Sequence, residues 1–156
     1  MTHRIIKRVY VDGCAVGGLF NQYADQTEPF WKAVQNGEII IIVSDVLEGE
    51  VVRAPQVVRD FFNSLLESQI ERVVSTDDSD TLAKQYIAEN VVGPTSLDDC
   101  KHIALATIHH ADVLVSWNFK HIVNVTRIKG YNGVNMKQGH SQIEIRTPYE
   151  VIHDET

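Results

Sequence analysis

Residues 39 to 43 read Ile-Ile-Ile-Ile-Val, five consecutive β-branched side chains. Branching at Cβ stiffens each side chain and favours an extended backbone. A strand with no polar alternation has both faces covered, which is the situation of an inner strand in a parallel sheet. Shorter apolar runs accompany it: Val9-Tyr10-Val11 stops at Asp12-Gly13, Ile70 to Val74 has charged ends, and Val113 to Ser116 follows a helical stretch. Strands alternating with helical spacing predict an α/β fold, a mostly parallel sheet with helices on both faces.

With 156 residues, 44% of them hydrophobic, the chain buries one sizeable core, and a single domain over 1–156 is expected. The formal charge of −7 argues against strong nonspecific nucleic-acid binding, though not against a nuclease using metal ions and a local basic strip. No run reaches the roughly 18 apolar residues of a membrane span. The stretch Met1 to Arg8 has basic residues but no long apolar core, so no signal peptide is expected and the cytoplasm is the default compartment. Cys14 and Cys100 are too few for a disulfide framework and read as two reduced thiols.

Further along, Pro29 suits the first turn of a helix from Glu28 to Asn36, with Gly37 as its stop. After Ser44-Asp45 a helical segment carries Glu48 and Glu50. Pro55 opens another helix with apolar residues at 57, 58, 61, 62, 65 and 66. Ser79-Asp80 leads a helix to Asn90. Gly93-Pro94 breaks the chain, and Ser96 is the expected N-cap of a helix from Leu97 to about His110, with Asp99 completing a variant capping box. Asn124 to His140, rich in Gly, Asn and Lys, reads as an excursion. Gln142 to Arg146 is a last alternating strand closed by Thr147-Pro148.

Three acids stand at strand ends or helix starts: Asp12, Glu50 and Asp99. Each has an ordinary use. Asp12 can cap a turn, Glu50 can be a solvated surface acid, and the macrodipole favours a carboxylate such as Asp99 in a first helical turn by about 0.3–1 kcal/mol. Together they fall at the sheet edge where open α/β folds bind ligands. Two like charges ~4 Å apart repel by roughly 1–4 kcal/mol, so converging carboxylates call for a cation, and hard oxygen donors suit Mg²⁺ or Mn²⁺. Zinc has no matching Cys/His spacing.

Four segments carry a resemblance. They are Val9-Tyr10-Val11-Asp12, Ser44-Asp45 through Glu50 to Ala54-Pro55, Asp99-Cys100-Lys101-His102-Ile103-Ala104, and Ser116-Trp117-Asn118-Phe119-Lys120-His121-Ile122-Val123-Asn124. Together with Val134-Asn135 and Ile143 to Pro148, they make the chain similar to PIN domains of the VapC-like group, in the branch with Trp-Asn at the fourth acid position. The resemblance implies an α/β/α sandwich and a Mg²⁺- or Mn²⁺-dependent endoribonuclease of the kind that serves as the toxin of a toxin–antitoxin pair. It further implies an RNA substrate, an antitoxin protein as partner, and a homodimer.

By position it assigns Asp12, Glu50 and Asp99 to the metal, with Asn118 beside them to orient water or the scissile phosphate. Glu50 is chosen over Glu48 because it stands four residues before Ala54-Pro55, and Asp99 over Asp98 because it stands three before His102. Two departures from the family are Gly13-Cys14, where a hydroxyl pair is usual, and the uncharged Asn118. They motivate an alternative, a catalytically weakened PIN domain acting as an RNA-binding or protein-interaction module.

Neighbouring residues have plainer explanations. His102 and His121 read as packed, hydrogen-bonded histidines, and Trp117 as core packing rather than a base-stacking ring. Lys120, Arg127, Lys129 and Lys137 are either a basic strip for phosphate or a solvated loop. The stripe on Gln56 to Leu66 is a candidate self-association surface, although such a stripe usually packs on its own sheet.

Overall fold

A computed structural model describes residues 7–153, so most of the basic N-terminal stretch lies outside the described residues. Five parallel strands form one sheet in the order β3-β2-β1-β4-β5: β1 Lys7–Val11, β2 Ile39–Ser44, β3 Ile70–Val73, β4 Val113–Val115 and β5 Ile145–Arg146. The isoleucine run is the inner strand β2, paired with β1 from Lys7↔Ile39 to Tyr10↔Ile42. On its other side β1 pairs with β4, Val9↔Val113 through Val11↔Val115. The chain therefore leaves β1 in one direction and returns on the other, creating a switch point between β1 and β4 where the carboxyl ends of the strands open a crevice.

The helices are α1 Gly13–Gly17, α2 Ala24–Gln35, α3 Asp45–Val52, α4 Gln56–Asn63, α5 Asp77–Ala88, α6 Leu97–Ile108, α7 Val125–Lys137 and α8 Pro148–His153. Alternate strand residues face opposite layers. Val9, Val11, Ile41, Val43, Val113 and Val115 pack with α1, α2 and α8, while Tyr10, Ile42 and Leu114 pack with α5, α6 and α7. This is the expected single-domain sandwich of a sheet between two helical layers. Among the described residues no helix is long and apolar enough to cross a membrane.

Several local expectations are corrected. Helix α2 starts at Ala24, so Pro29 lies inside it rather than in its first turn. The earlier start is secured by the Tyr23 carbonyl, which accepts from the Gln26 and Thr27 amides and from the Thr27 hydroxyl at 2.7 Å. Helix α4 stops at Asn63, and Phe61, Phe62 and Leu65 pack against the core beneath it. Thr76, with Ser79 answering it, caps α5. Ser96 makes no side-chain cap, because α6 is entered from a 3-10 turn over Pro94–Ser96.

The stretch after Asn124 is helix α7, not an excursion. Asn124 is its N-cap, accepting from the Thr126 and Arg127 amides. Its Asn residues serve tertiary bonds: the Asn132 amide group bonds both the N–H and the C=O of Ile143, at 2.7 and 3.0 Å. Gly130 lets the helix approach the segment that follows α5, since a Cβ there would come 2.7 Å from Val91 Cγ1. Strand β5 is shorter than expected, and α8 follows Thr147 directly.

Candidate active site

Asp12 follows the last residue of β1 and caps α1. Its Oδ1 accepts from the Ala15 amide at 2.9 Å, and its Oδ2 accepts from the Ser116 hydroxyl, just beyond β4, at 2.6 Å. A carboxylate is thereby buried, 3% exposed, at the switch point. Ser44 caps α3, which aims Glu50 at the same place. Glu50 Oε1 accepts from the Gly13 amide at 3.2 Å and lies 2.8 Å from His102 Nε2. Glu48, on another face of α3, turns to Arg72.

Asp99 sits in the first turn of α6, and its Oδ2 accepts from Asn118 Nδ2 at 3.4 Å. Asp12, Glu50 and Asp99, with Gly13, Cys14 and Arg53, line one cleft of about 260 Å³. Asn118 is joined to that wall: its amide donates to Ser116 Oγ at 3.0 Å, while its Oδ1 accepts from the His121 amide. All four predicted site residues are therefore gathered, three on the cleft and Asn118 against Asp99. A larger hollow of about 690 Å³ runs along β5 and α7, and none of the four lines it.

Behind Glu50 lies a chain of buried polar groups. His102, 1% exposed, bonds Glu50 through Nε2 and Tyr10 through Nδ1 at 2.6 Å, and the Tyr10 hydroxyl continues to Ser44 Oγ at 2.6 Å. Burial opposes a charge on His102, but Glu50, Asp12 and Asp99 outweigh it and raise its pKa. These bonds join Glu50 to Ser44 through the His102 ring and the Tyr10 hydroxyl. Burial pushes the Asp12 carboxyl up to about 6 despite relief from His102, Ser116 and Ala15. Asp99 is raised too, by burial and then by Glu50 and Asp98. Cys14 is pushed up to about 12 by burial and the nearby carboxylates, which keeps it a thiol.

The Gly13 departure has a steric reason. A Cβ at this position would stand 3.0 Å from Glu50 Oε1, so Glu50 bonds the bare amide where a larger residue would displace it. The donor set facing the cleft is dominated by carboxylate oxygens, which suits a hard divalent cation in kind. Among the described residues, no group of three His, Cys, Asp or Glu side chains is disposed to hold a metal ion as it stands. Glu50 Oε1 is turned onto His102 and Gly13, and both Asp12 oxygens are already bonded.

Sequence reasoning passed over Tyr10, Ser44, Ser116 and Arg53. Ser44 ends a strand three residues before an amide that needs a cap, and Ser116 directly follows another strand, which are the signals that mark them. Trp117 packs as expected, stacked on Tyr23 at a 4.4 Å ring separation and donating from Nε1 to Thr27. The basic residues near α7 are elsewhere engaged or elsewhere placed: Arg127 donates to the Val91 carbonyl, Lys137 pairs with Glu89, and neither lines the cleft.

This strand order, with an acidic cleft at the switch point, defines a PIN-like fold of the VapC type. Two solved structures share it. VapC20 of Mycobacterium tuberculosis, described as a toxin that cleaves the sarcin–ricin loop, superposes with a TM-score of 0.58 at 12% identity, over 72% of this chain and 91% of its own. A chain of VapBC2 from Rickettsia felis, solved bound to a DNA fragment from the promoter, gives 0.53 at 13% identity, over 90% of this chain and 98% of its own. No family model matches the sequence, and no curated protein matches it.

Proposed function

We propose that this protein is a Mg²⁺- or Mn²⁺-dependent endoribonuclease of the PIN type, the toxin of a toxin–antitoxin pair. One observation carries the proposal: three carboxylates from positions 12, 50 and 99 line a single cleft at the sheet's switch point, and Asp12 is buried there. The fold shared with VapC20 supports it. Asp12, Glu50 and Asp99 would hold the ion, which when bound lowers the pKa of a coordinated water and offsets charge on the phosphate. Ser116 and the Ala15 amide orient Asp12, His102 and the Gly13 amide orient Glu50, and Asn118 orients Asp99. The likeness to VapBC2, solved with promoter DNA, supports an antitoxin protein as the partner.

Single-stranded RNA cleavage with Mn²⁺, with EDTA, and with Asp12→Asn or Asp99→Asn tests this. Cleavage in Mn²⁺ alone, lost in both variants while their folds persist, is the expected result. Full activity in both variants defeats the assignment. The second function, an interaction module, is favoured by the Asn118 oxygen being taken up by the His121 amide. It predicts no Mn²⁺ binding at millimolar metal, where the nuclease predicts binding that disappears in Asp12→Asn.

A further inference from the structure

We infer that Arg53 is the residue that grips an RNA phosphate at the mouth of the acidic cleft. This rests on the nuclease function proposed above and extends it to a substrate contact.

Arg53 follows α3 as its C-cap residue, three positions after Glu50, and its exposed side chain lines the cleft. A guanidinium at that spacing would ordinarily pair with the carboxylate one turn back. Here Glu50 is drawn inward by His102 and the Gly13 amide, and Asp12 is buried and bonded by Ala15 and Ser116. Among the described residues the other arginines are all engaged: Arg8 with Glu71, Arg59 with Gln56, Arg72 with Glu48 and Glu67, Arg127 with Val91, and Arg146 with Glu144. Among the described residues Arg53 makes no such side-chain bond, and of these it is the one basic residue that lines the cleft.

A phosphodiester approaching this face meets three carboxylates on a chain of formal charge −7. A metal ion offsets charge only where it sits. A planar guanidinium with its donors unspent supplies the other attraction, taking two phosphate oxygens through paired N–H groups. Arg53 directly follows the helix that carries Glu50 and lines the same cleft, so the phosphate it holds lies next to the proposed metal position. Its work is binding, so its loss raises KM more than it lowers kcat.

The test compares wild type, Arg53→Gln, Arg53→Lys and Lys84→Gln. Lys84 is exposed on α5, outside the cleft lining, and its substitution makes the same change in net charge. Affinity for a fluorescein-labelled single-stranded RNA 12-mer is measured by anisotropy against salt, once with Ca²⁺ and once with EDTA, and Mn²⁺ affinity is measured separately. Expected are a loss of about tenfold or more in RNA affinity for Arg53→Gln and a salt slope smaller by about 0.7, the value for one single-strand phosphate. Arg53→Lys should recover part of the loss, Lys84→Gln should change affinity less than twofold, and Mn²⁺ affinity should not fall in Arg53→Gln. Equal losses for Arg53→Gln and Lys84→Gln, no loss for Arg53→Gln, or no RNA binding by the wild type in either arm overturns the proposal. A wild type that binds RNA through Arg53 but binds no Mn²⁺ instead defeats the metal-nuclease function and leaves the phosphate contact standing.

Discussion

Replacing Asp12 by Asn should abolish function yet make the metal-free protein more stable, by an amount that follows from its burial. A rise in the Asp12 pKa from an ordinary 3.8 to about 6 corresponds to about 3 kcal/mol at about 1.4 kcal/mol per pH unit. Because the folded value is the higher one, the sign is settled. Below about pH 4 the carboxyl is protonated in both states and costs nothing. Between about 4 and 6 the unfolded chain releases its proton while the fold retains it, so stability falls as pH rises, and above about 6 the loss is constant. Asn is neutral and still caps α1, with Oδ1 accepting from Ala15 and the amide nitrogen donating to a rotated Ser116 hydroxyl. For a domain of this size about 3 kcal/mol is about 6–12 °C in Tm. Urea and thermal unfolding of both proteins in EDTA, from pH 4 to 8.5, should show Asp12→Asn ahead at pH 8 and level at pH 4. Saturating Mn²⁺ should then restore wild type alone, by about 2.7 kcal/mol at a hundredfold excess over Kd. A gap missing at pH 8, or undiminished at pH 4, would refute the assignment of strain to a buried, ionised Asp12.

Tyr10→Phe removes the hydroxyl linking Ser44 to His102 and leaves buried polar groups short of a partner. It should cost about 1–3 kcal/mol in urea unfolding, and weaken Mn²⁺ binding because Glu50 loses its support. Gly13→Ala brings a Cβ to 3.0 Å from Glu50 Oε1, so the carboxylate must shift by a few tenths of an ångström away from the Gly13 amide. Mn²⁺ affinity measured by titration should fall about tenfold or more.

The fold was legible wherever one physical requirement dominated. Five β-branched residues have no comfortable place except a covered strand, and β2 is that strand. The parallel sheet followed from strands alternating with helical spacing. The composition of helix α7 hides it, because tertiary bonds rather than local propensity hold it. Asn and Gly are weak helix formers in isolation, but Asn132 and Asn135 are held by bonds to Ile143, Tyr86 and Thr107, and Gly130 is small because Val91 is there. Ser96 failed as a cap for a related reason: a 3-10 entry already supplies backbone partners, with the Ser96 amide bonded to the Gly93 carbonyl.

At the site, the acids were legible because carboxylates at strand ends are few and their spacing is distinctive. Their supports were not, since each is an ordinary residue whose role depends on a neighbour more than 30 positions away. Tyr10 bonds Ser44 and His102, and Asp12 bonds Ser116. The same long-range arrangement explains the two departures. Gly13 admits Glu50 to the backbone, and Asn118, being an amide, can donate to Asp99 while accepting from His121, which a carboxylate in its place could not do. In place of a fourth negative charge the chain has a neutral brace that sets the orientation of the third. Under the proposed function, one divalent ion held by these three carboxylates, with Arg53 beside it, would offset their charges when all three are ionised, and a phosphate would then enter a site that the bare carboxylates repel.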